Sequence, residues 1–172
     1  MCTRQDQLRI ADNQMTEHEP NTLILRDVTE ADLPIFFEQQ LDTEATQMAA
    51  FPSRDRDAFM AHWKKIMGNE NVTVRTILFE EHVAGNIVSW DQSGQREVGY
   101  WIGKKYWGKG IGTKALAEFL GYVKPRPLYA HVAKHNVASL RVLQKCGFVI
   151  SGKDKFSNES GGEIEEFLLK LE

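Results

Sequence analysis

The sequence is poor in the residues that staple small folds or anchor them in membranes. It holds two cysteines in 172 residues, Cys2 and Cys146, too few for a disulfide framework and easier to reconcile with a reducing compartment. No apolar run approaches the roughly 18 residues of a membrane span. The first twenty residues are polar, mixed in charge and without the apolar stretch of a signal peptide. Repeats and low-complexity tracts are missing too, and the 42% hydrophobic and 26% charged residues are ordinary for a chain with one sizeable core. The expectation is a soluble, cytoplasmic protein with a flexible arm over residues 1–20 and a single domain over residues 21–172.

An overall positive charge is also lacking. A net charge of −3 argues against a nucleic-acid partner. Between Lys104 and Lys145, however, stand nine basic residues and one acid, Glu118, so that segment carries +8 and the remainder −11. Such a patch on an acidic chain suits a polyanionic small molecule.

Periodicity gives a mixed α/β organisation. Thr22–Val28 reads as a strand, and Thr29 with Asp32 three residues later reads as a helix start, followed by Leu33, Phe36, Phe37 and Leu41 at helical spacing. A second helix is predicted over Arg56–Met67, with Phe59, Met60, Trp63 and Met67 on one side. Val72–Phe79, His82–Trp90 and Glu97–Ile102 read as consecutive antiparallel strands, the first two joined by a turn at Glu80 and Glu81. Ile111, Ala115, Leu116, Phe119, Leu120 and Val123 predict a helix ended by Pro125 and Pro127. Leu128–Ala133 is a short strand, and 136–145 a helix with Val137, Leu140 and Leu143 inward. Gly147–Ile150 and Ile164–Leu171 are predicted final strands, with a mobile hairpin connection over 152–162.

The densest signal is GKKYWGKGIG, residues 103–112, with four glycines in ten residues between a strand and an amphipathic helix. Glycines let the backbone turn its N–H groups toward a ligand, and the helix start near Gly110 aims further unpaired N–H groups into the same space. That is a phosphate-binding arrangement. It is not a P-loop, because Gly110 follows Lys109 where Ser or Thr would hold magnesium. Nor is it a dinucleotide fingerprint, because the glycine spacing differs and the next strand carries no carboxylate.

The segment Trp107–Gly108–Lys109–Gly110–Ile111–Gly112 resembles the [Q/R]-x-x-G-x-[G/A] signature of the GNAT superfamily of acetyltransferases, departing from it at Trp107. The YWGKG run is similar to that of the RimJ/RimL-like branch. LILRD at 23–27 with Ala31–Asp32–Leu33, EVGYWI at 97–102, and NVASLRVLQKCGF at 136–148 resemble further segments of that branch, in the same order.

The resemblance implies a central, mostly antiparallel twisted sheet with splayed fourth and fifth strands, flanked by about four helices, and acetyl-CoA lying in the splay. By position, Ile102 would pair its backbone with the pantetheine and residues 107–112 would hold the pyrophosphate. The backbone N–H near Tyr100 or Trp101 would polarise the thioester carbonyl, and Asn136 would contact the cofactor. The implied reaction is direct acetyl transfer to a primary amine, either a protein α-amino group or a small amine. An alkylammonium has a pKa near ~10 and must first lose a proton. Glu97, five residues before Ile102, is the leading candidate base and Asp91 a weaker one. The leaving thiolate needs a proton donor; relatives use a Tyr four residues before the G-F pair, which here is Leu143, and Ser139 is the substitute.

Further expectations follow. His131 and His135 fall on a strand and the turn after it, so no metal site is expected. Cys146 reads as filler, and the acids Asp42, Glu44, Asp55 and Asp57 as the mouth for a cationic acceptor. The alternative to an enzyme is a non-catalytic acyl-CoA-binding module that senses or regulates. Either a monomer or a homodimer is compatible, the last strands offering an edge.

Overall fold

A computed structural model describes residues 21–157 and 162–172; the arm expected over 1–20, and Cys2 with it, lies outside the described residues. Seven strands form one sheet in the order β1-β2-β3-β4-β5-β7-β6. They are β1 (Leu23–Arg26), β2 (Thr73–Phe79), β3 (His82–Gln92), β4 (Gln95–Ile102), β5 (Leu128–Ala133), β6 (Val149–Ser157) and β7 (Glu163–Leu171). Every neighbouring pair is antiparallel except β4 and β5. Glu80 and Glu81 take the left-handed conformation between β2 and β3, as Ser93 and Gly94 do between β3 and β4, which matches tight hairpin turns to the strand twist.

The described residues hold five α-helices: α1 (Leu33–Gln40), α2 (Thr43–Ala49), α3 (Arg56–Met67), α4 (Ile111–Phe119) and α5 (Val137–Lys145). One apolar core joins α4 and α5 to the sheet, with Ile77, Ile87, Leu116, Phe119, Leu128 and Leu169 at its centre. A second, smaller cluster of Leu33, Phe36, Phe37, Phe59 and Trp63 joins α1 to α3. The first turn of this unit is polar. Asp32 accepts from the Thr29 N–H at 2.9 Å, from both Arg26 guanidinium nitrogens and from the Thr76 hydroxyl of β2 at 2.8 Å. Burial pushes its carboxyl pKa up, but the bonds from Arg26, Thr29 and Thr76 outweigh it and hold the group at about 2.

Several sequence expectations are corrected. α2 was not expected; among its residues only Ala45 is buried, so it leaves no apolar stripe to read. Leu41 and Val137, expected inward, are exposed because each lies at a helix end, past the face that meets the core. The helix over α4 stops at Phe119 rather than at the prolines, although Val123 is still buried. The connection expected over 152–162 is largely strand: β6 runs to Ser157, paired with β7 from Gly152↔Leu168 to Ser157↔Glu163. β6 is an edge strand with almost no buried position, so its sequence shows neither alternation nor an apolar run. Among the described residues, no helix is long and apolar enough to cross a membrane.

Candidate active site

β4 pairs with β3 along its whole length, from Gln95 to Ile102, but meets β5 only at Arg96↔Leu128 and Glu97↔Tyr129. On its other edge β5 pairs with β7 along its whole length, from Leu128↔Leu171 to Ala133↔Glu166. Beyond Glu97 the strands part, and the free edge of β4 opens into a cleft of about 460 Å³. The splay expected between the fourth and fifth strands is therefore present, and Glu97 stands at its apex.

Ten of the twelve site residues read from the sequence line this cleft: Tyr100, Trp101, Ile102, Trp107, Gly108, Gly110, Ile111, Gly112, Asn136 and Ser139. Lys109 and Glu97 do not. The Lys109 ammonium lies 5.8 Å from the centre of the Phe79 ring, so its charge is turned away from the cleft. Gly108 and Gly110 both have φ of 73°, and nothing stands within 4 Å of where a side chain would begin. The left-handed turns thus leave an open cradle in front of the α4 N-terminus, whose first N–H groups have no carbonyl of their own helix to meet. The Trp107 indole donates to the Ile102 carbonyl at 2.8 Å and ties this loop to the end of β4.

Along the α5 side, Asn136 caps the helix by accepting from the Ser139 N–H at 3.1 Å. The Ser139 hydroxyl lies 2.8 Å from the Tyr100 hydroxyl, a side-chain partner that the sequence did not suggest for either residue. Burial, more than the bond to Ser139, sets the Tyr100 pKa, pushed up to about 12. Tyr100 therefore keeps its proton at neutral pH. Leu143, which stands where relatives carry Tyr, is buried in the core and faces away from the cleft.

Glu97 is 7% exposed and projects from the opposite face of β4 to Val98 and Tyr100. Burial raises its pKa, opposed by His131 and reinforced by Glu166. Asp91, the weaker candidate, is an exposed residue of the β3–β4 hairpin and is paired with Arg96 at 3.1 Å.

Sequence reasoning missed one wall and two cations. Ala45, Met48 and Ala49 of α2 close the cleft opposite α4, while Arg141 and Lys145 of α5 bring positive charge to it. The basic segment had signalled the charge without saying which residues face inward; spacing from Asn136 along α5 could have done so. Of the acids expected at the mouth, Asp42 and Asp55 cap α2 and α3 by accepting from Ala45 and Ala58, both at 2.9 Å. Glu44 pairs with Lys104 at 2.6 Å, and Asp57 lies in the first turn of α3. No cluster of His, Cys, Asp and Glu among the described residues could hold a metal; the His135 ring bonds the Gln47 carbonyl. Cys146 is half-buried, its thiol 3.5 Å from the Thr113 carbonyl and its pKa raised by burial.

Residues 22–149 match the family described as acetyltransferase (GNAT) domain. No curated protein matches the chain in sequence. Solved structures do share its fold. An acetyltransferase of the GNAT family from Bacillus anthracis is 19% identical over 89% of this chain and 96% of its own, with a TM-score of 0.75. RimL, an alpha-N-protein acetyltransferase in complex with coenzyme A, is 18% identical over 87% and 93%, with a TM-score of 0.75. Spermidine N-acetyltransferase from Vibrio cholerae, in complex with CoA and spermine, is 17% identical over 86% and 95%, with a TM-score of 0.73. At these identities the structural likenesses carry the fold, and the match along residues 22–149 carries the family: the chain belongs to the GNAT acetyltransferases.

Proposed function

We propose that the protein transfers the acetyl group of acetyl-CoA to a primary amine, an α-amino group of a protein or a small amine, and is of the RimJ/RimL-like type. The observation that carries this reading is the parting of β4 and β5 at Glu97, with a phosphate cradle at one end and a buried carboxylate at the other. The backbone N–H groups of residues 107–112 hold the pyrophosphate, and Arg141 and Lys145 neutralise further phosphate charge at the mouth of the cleft. The free edge of β4 near Tyr100 and Trp101 offers N–H to the thioester carbonyl as it gains charge.

Glu97 takes the ammonium proton of the acceptor, and the freed nitrogen lone pair attacks the carbonyl carbon. The C–S bond breaks as the C–N bond forms. Ser139 protonates the departing thiolate and, as the thiol leaves, regains a proton from water entering the cleft, while the Tyr100 hydroxyl, 2.8 Å away and still protonated, steadies the Ser139 oxygen by a hydrogen bond. The desolvated Glu97 is a stronger base than a surface carboxylate, which suits this task at neutral pH.

The test has two stages. Calorimetric titration with acetyl-CoA, with ATP and NAD as controls, is expected to give selective heat with acetyl-CoA. Thiol release in the presence of spermidine or of a peptide with a free N-terminus then measures transfer. Glu97→Gln is expected to keep acetyl-CoA affinity within about twofold while cutting thiol release by ~10²-fold or more. Binding without release in the wild-type protein would favour the non-catalytic acyl-CoA-binding module.

A further inference from the structure

On the sheet face turned away from α4 and α5, Glu97 has two ionisable neighbours with no part in the transfer described above. His131 lies on β5 two residues after Tyr129, the partner of Glu97, and so points to the same face. Glu166 reaches it from β7. The His131 Nδ1 is 2.7 Å from Glu166 Oε1, and its Nε2 is 3.7 Å from Glu97 Oε1. His131 stands between the two carboxylates and is the most open of the three, its side chain 32% exposed against 9% for the Glu97 side chain and 16% for that of Glu166. The longer gap exceeds a direct hydrogen bond but is within reach of a small side-chain rotation.

A buried base that accepts a proton at every turnover needs a way to lose it. Glu97 is buried in the sheet, and an acceptor bound over it covers what opening remains, so direct exchange with water is restricted. Imidazole is the side chain whose ordinary pKa lets it take and release protons near neutral pH. A carboxylate on one ring nitrogen fixes the tautomer and steadies the cation formed when the other nitrogen is protonated. On the amine-transfer reading proposed above, we infer that His131, held by Glu166, is the positioning residue that draws the acceptor's proton from Glu97 and passes it to solvent.

The balance is simple. The ammonium N–H bond breaks and Glu97 becomes the acid. Its O–H bond then breaks as an N–H bond forms at His131 Nε2, and the imidazolium gives a proton to water. No redox partner is involved. Among the described residues of β5, β6 and β7, the other titratable groups on this face are Tyr129, Lys170 and, opposite Glu166, Asp154; farther along it, on β1, Arg26 is paired with Asp32. Glu44 of α2 is taken up by Lys104.

The test uses His131→Asn, whose carboxamide can still donate to Glu166 but cannot accept and return a proton. Thiol release from acetyl-CoA is followed against pH with two acceptors, spermidine and a peptide with a free N-terminus. At pH 7 the variant should lose about 10²-fold in kcat/KM for either amine, with acetyl-CoA affinity unchanged within about twofold. The loss should fade as each amine becomes neutral unaided, near pH ~8 for the α-amine and about two pH units higher for the alkylamine. A loss equal at every pH, or none at pH 7, would overturn the relay while leaving acetyl transfer intact. Failure of the wild-type protein to bind acetyl-CoA, or to release thiol with either amine, would sink the parent reading and the relay with it. Independently of turnover, ¹⁵N spectra of the imidazole should show the neutral ring protonated at Nδ1, with that bias lost in Glu166→Leu, which removes the acceptor; an Nε2-protonated ring would also overturn it.

Discussion

On one side of the cleft, α4 and α5 are fastened to the sheet mainly by apolar contact, with Leu116, Phe119 and Leu143 buried against Ile77, Ile87 and Leu169 and the Tyr100–Ser139 bond as a polar tie to α5. On the other, α1 to α3 share a small aromatic cluster in which the Phe36 and Trp63 rings lie 4.8 Å apart, and much of what binds that unit to the sheet is polar. Asp32 joins Arg26 and Thr76, Gln39 donates to the Val83 carbonyl, and the Trp101 indole donates to the Gln39 carbonyl. The side that presents the proposed phosphate cradle is thus built on a dense core that changes little with solution conditions. The wall proposed to meet the acceptor hangs on hydrogen bonds and an ion pair that respond to pH. A transferase that keeps one donor and varies its acceptor gains from that division.

The comparison breaks most visibly with Leu116→Ala. Leu116 is fully buried, and its truncation should cost about 2–5 kcal/mol, lowering the midpoint of thermal unfolding on the order of 10 °C. Next comes Asp32→Asn, expected to cost about 2 kcal/mol by leaving Arg26 and Thr76 without their carboxylate. The wild-type protein should show the same tie through pH. The folded-state pKa of Asp32 is depressed to about 2, so its contribution is present above the unfolded carboxylate pKa of ~3.9 and is lost as pH falls through the folded value. Denaturant midpoints should therefore fall between pH 4 and pH 2, and the fall should flatten in Asp32→Asn. Were the acid sensitivity the same in both, the polar fastening would not be the weak side. A smaller change is Gly110→Ala, which forces a side chain into a φ of 73° and should cost about 1 kcal/mol. Its effect on acetyl-CoA should exceed its effect on stability, with Kd rising about tenfold as the N–H groups lose their aim.

The same contrast governs what could be read from the sequence. The cradle is local: glycines at left-handed positions directly before an amphipathic helix declare themselves within ten residues. The core side is periodic, so Ile111, Ala115, Leu116 and Phe119 place α4 by spacing alone. The parting of β4 and β5 is a matter of register between segments about thirty residues apart, and only the resemblance to a known family pointed to it. Tyr100 and Ser139, 39 residues apart, meet because α5 packs on the sheet, and no pattern in either segment records it. His131 and Glu166 are 35 residues apart and are joined by the antiparallel return of β7 beside β5. α2 escaped because one buried alanine leaves no stripe, although its Asp42 cap was visible as a residue.

The smallest expected effects decide what the acids beside α2 and α3 do. Asp42 and Asp55 each commit a carboxylate oxygen to a helix N-terminus, so removing either side chain mixes loss of charge with loss of a cap. Alanine at either position should cost about 1 kcal/mol, whereas asparagine caps nearly as well as aspartate and should leave the melting midpoint almost unmoved. The asparagine variants therefore isolate charge. If the field of these acids draws a cationic acceptor toward the cleft, Asp42→Asn with Asp55→Asn should raise the acceptor KM a few-fold and leave kcat alone. That rise should shrink with added salt, since screening acts over ~10 Å at 0.1 M. If alanine raises KM and asparagine does not, these residues serve the acceptor wall only by holding its helices in place. In that case the negative charge outside the basic segment has no part in choosing the amine.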